Sequence, residues 1–381
     1  MTTAWYRFDA ADVLFFRDGR PFNQGDPAQM AITSLFPPHP TTAVGALRAA
    51  LARGLGWSGR GRWGKDASGK DITETLGDGG DLKQAGLQFR GPYLVHDLAG
   101  PRFPAPALLV RETTGARRLC RLGPGTGRDC DLGTSVRLAE PKGADGKVKP
   151  VTGAWLTRDG MQRVLSGGVP ARAEIYLADD DENDVGERLF AREVRVGLAR
   201  DAKTRTATQG ALYTAGFVRP QAGEDVGLVV EVDTQQKLSQ PTSPIPLGGE
   251  GRFAWVEPTK SLDLPAAPPP EDFKRATRKD GVVLLYTVTL ITPAHLPNPW
   301  PESGKPLAGL PGRIVCACHE RPLMVGGWAS KHFKEKDWGP QPLKAMLPAG
   351  STWFLEIDEG AADADALRKL NGTHIGGCQD W

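Results

Sequence analysis

The sequence has little cysteine for its length. It contains 5 cysteines in 381 residues and no CxxC pair, which argues against a disulfide framework. Cys316, Cys318 and His319 stand close together, but alternation along a strand puts only the two cysteines on one face. No second cluster of ligands follows, whereas structural zinc normally draws on two pairs. We therefore predict neither a metal site nor a cofactor.

Long apolar runs are missing as well. The best, at residues 282–292, stops at Pro293 and is shorter than the ~18 residues that a membrane span needs. Residues 1–6 lack the basic region and the apolar run of a signal peptide. We expect a cytoplasmic chain with no membrane partner.

No catalytic set emerges from the sequence. The 6 histidines are scattered singly, and there is neither a GxSxG elbow nor an HExxH pair. A metal-free ribonuclease would need a base beside an RNA 2'-hydroxyl, and His39 is the candidate that we can name. Because prolines enclose His39, a structural role is the simpler interpretation, and we expect no enzyme.

A strong net charge is also absent, so any site for a polyanion has to be local. The net charge is +2, but residues 1–65 hold eight Lys/Arg against four Asp/Glu. Residues 171–190 reverse the sign with seven acids against two arginines, a pattern typical of a solvated loop rather than a metal site.

What the sequence does have is strand-like alternation. The clearest helix starts at an N-cap, Thr41 or Thr42, and ends at Gly54 or Gly56. The order of strand, helix and then several strands predicts an α+β fold with helices on one face of a mainly antiparallel sheet. Strands are predicted at residues 5–8, 13–16, 87–95, 107–111, 194–199, 212–218, 228–232, 253–256, 282–292, 313–320 and 352–357.

Glycine and charged residues mark two stretches, 56–81 and 115–150, that we interpret as loops inserted into the first domain. A proline-rich stretch at 258–279 is typical of an extended linker. We therefore predict a domain at residues 1–257, the linker, and a second domain at 280–381.

Residues 12–22 (DVLFFRDGRPF) and 34–42 (SLFPPHPTT) present basic side chains near a helix start. Arg17 and Arg20 flank Gly19 in a turn, and Arg48 lies on the helix that follows. A helix N-terminus with arginines nearby suits a phosphate. Ordinary strand, loop and helix capping explains the same residues, and both interpretations stay open.

A second basic segment covers residues 193–219. Two strands joined by a threonine-rich connection would present Arg200, Arg205 and Arg219 to RNA phosphates, with Tyr213 available for base stacking. A solvent-facing hairpin is an equally good interpretation.

Three glycines within residues 248–251 precede a strand. They allow the backbone to approach a ligand closely, although a tight turn explains them too. The segment lacks the Lys-Ser/Thr of a P-loop and does not match GxGxxG, which argues against nucleotide hydrolysis.

Together these segments resemble the third subunit of the Cmr complex, the type III-B CRISPR-Cas effector, within the RAMP (repeat-associated mysterious protein) superfamily. The resemblance implies two ferredoxin-like (RRM-type) domains with antiparallel sheets, glycine-rich loops and long insertions. The family pattern runs on from the C-terminal glycines into a last strand, so we expect the second domain to be truncated or to lack that strand. The blocks that carry the resemblance are residues 12–22, 34–51, 192–219, 247–252, 285–294 and 326–354.

The family's role is to bind the 5' repeat-derived tag of the guide RNA (crRNA). It also bridges the large polymerase-like subunit and the first backbone subunit, and it performs no catalysis. The resemblance assigns Arg17 and Arg20 to tag phosphates, and Phe22 and Trp328 join Tyr213 as candidates for base stacking. The remaining candidate RNA contacts are Ser34, Thr41, Thr42, Arg48, Arg200, Arg205, Arg219, Gly248, Gly249, Glu250, Gly251 and Arg252.

Two other hypotheses remain. One is a RAMP-type endoribonuclease that processes precursor guide RNA, with His39 as its base. The other is an adaptor that contacts only proteins. Cleavage of repeat RNA and RNA crosslinking distinguish them from the tag-binding hypothesis.

Overall fold

The computed structural model describes residues 2–17, 19, 31–78, 85–96, 100–115, 117–131, 133–177, 189–221, 225–278, 281–296, 306–307, 309–329, 339–361 and 364–375. The helices in this part are α1 (Pro40–Gly54), α2 (Ile72–Leu76), α3 (Arg158–Leu165) and α4 (Ala364–Arg368). None of them is long and apolar enough to cross a membrane.

Strands make up most of the regular structure. Among those described, pairing is antiparallel except between the second and twelfth, so the mainly antiparallel α+β prediction is confirmed. In chain order they are β1 (Thr2–Ala10), β2 (Ala31–Thr33), β3 (Gln88–His96), β4 (Gly100–Pro104), β5 (Leu109–Glu112), β6 (Leu119–Cys130), β7 (Gly133–Lys142), β8 (Val148–Pro150), β9 (Ala154–Thr157), β10 (Ile175–Leu177), β11 (Phe190–Arg200), β12 (Ala207–Pro220), β13 (Val226–Thr234), β14 (Ile245–Pro246), β15 (Phe253–Pro258), β16 (Lys274–Arg278), β17 (Gly281–Thr289), β18 (Arg313–Cys318), β19 (Leu323–Val325), β20 (Trp328–Ala329), β21 (Gly339–Pro340), β22 (Lys344–Met346) and β23 (Thr352–Asp358).

The largest sheet has eight strands in the order β10-β9-β4-β3-β13-β1-β15-β14. Successive side chains of a strand point to opposite faces. Tyr6 and Phe8 of β1 lie in the main core, where Leu47 and Leu51 of α1 also lie. Arg7 and the other odd-numbered residues of β1 point to the opposite face. The sheet is therefore covered by α1 on one face, which is where the main core lies.

The N-cap of α1 differs from the prediction by two or three residues. The helix begins at Pro40, with His39 as its N-cap, rather than after an N-cap at Thr41 or Thr42. Proline fits the first helical position because its missing N–H needs no partner there. The backbone N–H of Thr41 donates to Nδ1 of His39 at 3.4 Å. The predicted end at Gly54 is confirmed.

β11 and β12 form a long antiparallel hairpin, as predicted, and β12 also pairs in parallel with β2. In the order β11-β12-β2, β11 lies at the edge of the described sheet. The outer side of the hairpin exposes large aliphatic side chains, which we call the hairpin apolar face. They are Val194 (68% exposed), Val196 (68%), Leu198 (48%) and Leu212 (52%).

The loop prediction for residues 115–150 is wrong. Strands β6, β7 and β8 lie there and join β5 in an antiparallel sheet ordered β7-β6-β5-β8. Only the first part of β6 is buried, so these strands need few apolar side chains and their composition resembles a loop. In residues 56–81 the described part is irregular apart from α2, which agrees with the prediction.

The sheet of the C-terminal part has the order β16-β17-β23-β18. β16 falls inside residues 258–279, the predicted linker, because Lys274–Arg278 pair with β17. The irregular connection after β15 is therefore shorter than predicted. The predicted run at residues 13–16 forms isolated bridges rather than a strand. Residues 376–381, where the last strand was expected to be missing, lie outside the described residues.

Candidate nucleic-acid interface

Four segments that are distant in sequence meet at one place, which we call the glycine-loop junction: residues 13–17, Ser34, residues 216–219 and residues 247–252. Leu14 and Val218 exchange backbone hydrogen bonds of 2.8 Å in both directions. The N–H of Gly249 donates to the carbonyl of Phe15 at 2.8 Å. The structure therefore brings together three blocks that the sequence singled out separately.

Ser34 ties the junction together from inside. Its hydroxyl accepts from the N–H of Phe16 at 3.1 Å and donates to the carbonyl of Gly216 at 2.7 Å. The residue is only 6% exposed. The predicted role of Ser34 as a groove-lining RNA contact stays a prediction, but its hydroxyl already holds two backbone segments together.

The glycine-rich loop is a tight turn on the surface. Gly248 has φ of +83°, Glu250 +55° and Gly251 +62°, so three positions adopt the left-handed conformation. An added Cβ at Gly248 would overlap the carbonyl oxygen of Phe15 and lie 2.9 Å from the Phe16 ring, whereas one at Gly251 meets nothing within 4 Å. The backbone therefore approaches residues 15–16 at one end of the loop and remains open at the other.

Charged side chains beside this loop form a compact cluster of Asp12, Glu193, Arg195, Arg219 and Arg252. Arg219 donates to Asp12 at 2.9 Å and to Glu193 at 2.6 Å, and Arg195 donates to the same two carboxylates at 3.3 and 2.6 Å. Arg252 Nη1 lies 3.7 Å from Asp12 Oδ2. Three guanidinium groups face two carboxylates, which leaves a local charge of +1.

Electrostatics keep both carboxylates of this arginine cluster ionised. Desolvation opposes the charge on Asp12, but hydrogen bonds from Arg219, the backbone of Val13 and Arg195 outweigh it and lower the pKa. The pKa of Glu193 is lowered chiefly by hydrogen bonds from Arg219 and Arg195. The guanidinium groups are therefore held in place by fixed negative charge.

Phe217 supports two of these arginines. The Cζ atoms of Arg195 and Arg252 lie 5.1 and 4.6 Å from its ring centroid, within the range of a cation–π contact. Sequence reasoning named Arg219 and Arg252 but missed Asp12, Glu193, Arg195 and Phe217 as members of the site. The alternation of REVRV at residues 192–196 is the signal for two of them, because it places Glu193 and Arg195 on one face of β11.

Arg17 lies at the surface of the junction, in a backbone bridge with Ser34. The turn that follows contacts the C-terminal part, since the N–H of Gly19 donates to the carbonyl of Met324 at 3.1 Å. Arg20 and Phe22 lie outside the described residues. Arg17 is thus the described residue of the predicted arginine pair, and it is exposed.

The arginines of the hairpin are not brought together. Arg200 donates to the carbonyl of Arg205 at 2.8 Å at the tip of the hairpin. Arg219 pairs with Ala191 at the base, nine residues along β11 from Arg200. At ~3.3 Å per residue the two ends are about 30 Å apart. A single phosphate therefore does not contact Arg200 and Arg219 together.

Tyr213 and Trp328, two of the candidates for base stacking, lie in different sheets. An added Cβ at Gly197 would overlap the ring of Tyr213, so the half-buried tyrosine lies across β11 on its cross-strand partner. Trp328 lies in β20, and its side chain is outside the described part. Neither position tests the stacking prediction.

The helix start and Arg48 are engaged within the fold. Thr41 is exposed, and its hydroxyl lies 2.7 Å from Nδ1 of His39, whose Nε2 lies 2.8 Å from the sulfur of Met346. Burial lowers the pKa of His39 to about 4. Thr42, one residue further along, is half-buried.

Arg48 caps the end of α2 from a neighbouring helix. It donates to the carbonyls of Leu76 and Gly77 at 2.8 and 2.7 Å, with its Cζ 5.1 Å from the centroid of the Trp63 ring. Burial lowers the pKa of Arg48 to about 10. These contacts stabilise α2, and the RNA contact predicted for Arg48 stays a prediction.

The predicted pairing of cysteines on one face agrees with the structure. Cys316 and Cys318 are both buried in β18, and the pKa of Cys318 is raised by its hydrogen bond with Cys316 and by burial. The ring of His319 packs 4.8 Å from that of Trp353. Within the described residues, no group of three or more His, Cys, Asp or Glu side chains could hold a metal ion.

A cleft with a volume of about 850 Å³ lies elsewhere. Its lining includes Arg90, Tyr93, Tyr286 and Phe354 but no residue of the glycine-loop junction. Arg90 pairs there with Glu231 and Asp233. We locate the candidate interface at the junction because the sequence blocks converge there.

The chain is similar to known proteins in sequence and in structure. A family model described as CRISPR-associated protein (Cas_Cmr3) matches residues 6–377. A search of curated proteins finds no match. A chain in the cryo-EM structure of the type III-B Cmr-beta bound to cognate target RNA and AMPPnP is 14% identical, with 92% of this chain and 86% of that chain covered at a TM-score of 0.46. A chain in the structure with target RNA alone is 13% identical, with 93% and 86% covered and the same TM-score of 0.46.

Proposed function

The chain belongs to the Cmr3 family of CRISPR-associated proteins, subunits of the type III-B effector complex, and on that basis we propose its role there. It binds the 5' repeat-derived tag of the guide RNA and bridges the large polymerase-like subunit and the first backbone subunit. The observation that carries the proposal is the convergence of the family's sequence blocks at the glycine-loop junction, beside a half-buried arginine cluster.

We propose that both halves of the chain are ferredoxin-like. Support in the first half comes from the run β15-β1-β13-β3, which corresponds to the order 4-1-3-2 of a ferredoxin-like sheet, with α1 following the first strand. In the second half, β17-β23-β18 corresponds to 1-3-2. β16 lies on the other side of β17, in the place of the fourth strand. A strand from the N-terminal side of this half therefore occupies the position of the expected last strand.

The tag-binding role is supported by three features of the glycine-loop junction. Arg17 is exposed, the arginine cluster carries a net charge of +1, and Gly251 has open space on the solvent side. Arginines and exposed backbone N–H groups are the usual partners of RNA phosphates. Most of the affinity would come from phosphates, so binding should weaken as salt increases.

The bridging role is supported by the hairpin apolar face. Exposed aliphatic side chains clustered on an edge hairpin are typical of a surface that another protein covers. β11 lies at the edge of the described sheet, a position to which a partner strand can be added. We assign this face to a protein contact rather than to RNA, since valine and leucine offer no flat surface for a base.

The absence of catalysis is part of the proposal. Both ring nitrogens of His39 lie within hydrogen-bonding distance of protein atoms, Thr41 Oγ1 and Met346 Sδ. Burial also lowers the pKa of His39 to about 4. A histidine held in this way has a structural role, which favours tag binding over the endoribonuclease alternative.

Charge reversal tests the tag-binding proposal. Arg17→Glu combined with Arg20→Glu should lower retention of guide RNA by the purified complex, with a larger loss at higher salt. Arg128→Glu serves as the control, because Arg128 is also an exposed arginine but lies on β6, away from the junction. Equal retention by wild type, the double variant and the control would reject the site.

Incubation with repeat RNA in EDTA tests the endoribonuclease alternative. The proposal predicts no specific cut by the full chain. A cut that His39→Ala abolishes would replace the proposal with the ribonuclease function.

A further inference from the structure

Two exposed aromatic side chains directly follow the glycine-rich loop. Phe253 is 44% exposed and Trp255 is 48% exposed, and both lie on β15. Ala254 and Val256 alternate with them and are buried against the core under α1. Alternation therefore places both rings on the face of the large sheet that α1 does not cover. We call Phe253 and Trp255 the aromatic pair.

The order of residues in this strand is that of an RNA-binding strand. Phe253-Ala254-Trp255-Val256 reproduces the aromatic, small, aromatic and valine positions of the RNP1 sequence in RNA-recognition motifs. In those domains the two aromatic rings stack on successive bases from the open face of a four-stranded sheet. β15 lies beside β1 in this sheet, and the aromatic pair is exposed at this end of the face, whereas Trp5 of β1 packs into a second core further along the same face.

The surroundings of the aromatic pair suit bases rather than phosphates. Asp9 lies directly opposite Trp255 on β1, and Arg7 lies opposite Glu257. The guanidinium of Arg7 donates to Asp9 at 2.7 Å. This patch therefore carries two carboxylates and one arginine, which repel a phosphate but accept hydrogen bonds from the amino groups of bases.

Positive charge lies next to the aromatic pair rather than on it. Arg252 immediately precedes Phe253 and belongs to the arginine cluster with a net charge of +1. A single strand that passes its phosphates along this cluster and the glycine-rich loop can turn its bases towards the aromatic pair. The hairpin apolar face lacks this combination, because its side chains are aliphatic.

We infer that Phe253 and Trp255 are a stacking site for two bases of single-stranded RNA whose backbone is held at the glycine-loop junction. This inference rests on the proposed tag-binding function and extends it by naming where bases are contacted. Stacking tolerates any base, so the site contributes affinity without selecting a sequence.

The test measures binding of the full chain to fluorescein-labelled single-stranded RNA taken from the repeat of its own CRISPR locus. Trp255→Ala should weaken binding about fivefold to about a hundredfold, the range expected for loss of one stacked base. Trp255→Phe should stay close to wild type, since it keeps a ring. Circular dichroism confirms that each variant is folded. Leu138→Ala is the control, because it truncates an apolar residue of similar exposure (51%) on β7, in a different sheet from the glycine-rich loop.

Abasic RNA makes the test specific. At the stacked position, removing the base should weaken binding to wild type but add nothing to the effect of Trp255→Ala. Additive losses at every abasic position would overturn the inference. So would unchanged RNA binding by Trp255→Ala together with its failure to enter the assembled complex, which would assign the aromatic pair to a protein interface.

Arg17→Glu separates this inference from the proposed function. If Arg17→Glu weakens binding while Trp255→Ala does not, tag binding stands and the stacking site is wrong. If wild type itself fails to bind the repeat RNA, both are wrong.

Discussion

The close approach of the glycine-rich loop to residues 15–16 makes a quantitative prediction for Gly248→Ala. At φ of +83° an alanine costs about 1–2 kcal/mol. Its Cβ would overlap the carbonyl oxygen of Phe15 and lie 2.9 Å from the Phe16 ring. Relieving this overlap disturbs the hydrogen bond from Gly249 to Phe15, which contributes about 1 kcal/mol. We expect the free energy of unfolding to fall by about 3 kcal/mol.

Gly251→Ala is the matched control. Its φ of +62° imposes similar strain, but nothing lies within 4 Å of the added Cβ, so the expected cost is only about 1 kcal/mol. Urea unfolding of the full chain, followed by tryptophan fluorescence, measures both variants. If Gly248→Ala is no more destabilising than Gly251→Ala, the argument that this loop is fixed by its contact with residue 15 is wrong.

Three further predictions concern single side chains. Burial lowers the pKa of His39 to about 4, so the unfolded chain takes up a proton first and stability is lost as pH falls from ~6.5 towards 4. We expect His39→Gln to remove up to about 3 kcal/mol of this loss of stability, as measured by the free energy of unfolding at neutral and at acidic pH. An unchanged pH dependence would contradict the burial argument. Arg48→Ala should lower the free energy of unfolding by about 2 kcal/mol, because the carbonyls of Leu76 and Gly77 lose their donor, and should leave RNA affinity nearly unchanged. Lost affinity at full stability would instead place Arg48 on the RNA. Asp12→Asn should tighten RNA binding at low salt, because it raises the charge of the arginine cluster, and the gain in affinity should shrink as salt screens that charge. The free energy of unfolding should fall by less than about 1 kcal/mol. Fluorescence anisotropy at two salt concentrations checks the affinity, and equal affinity for wild type and variant would show that Asp12 does not restrain the arginines.

Local patterns predicted the fold where each strand buries one complete face. β1 alternates apolar and polar residues over its second half, β13 is a mostly apolar run, and β15 opens with four apolar residues; the predicted runs at 5–8, 228–232 and 253–256 all lie within these strands. The loop prediction for residues 115–150 failed because β6 and β7 bury few side chains. Glycine and arginine therefore stand where apolar residues would have marked the strands. The start of α1 was missed because the favourable position of Pro40 outweighed the threonine N-cap preference.

The candidate interface was predictable only in part. Gly248 and Arg17 stand in distinctive local sequences, so they could be named in advance. The pairing of Arg219 with Asp12 joins residues about 200 positions apart, and no local pattern reveals such a contact. The exposure of Trp255 was equally invisible, because a tryptophan in a strand is more often buried. Long-range pairing and burial are properties of the assembled sheet rather than of any one segment.

The hairpin apolar face and the position of β11 at the edge of the described sheet also affect how this protein has to be handled. An edge strand flanked by exposed valine and leucine side chains is a template for unwanted pairing with another copy. A chain synthesised without its partners should therefore self-associate as its concentration rises, and co-expression should suppress this. In a cell, the same surface would favour assembly soon after synthesis, since delay would divert the chain into aggregates.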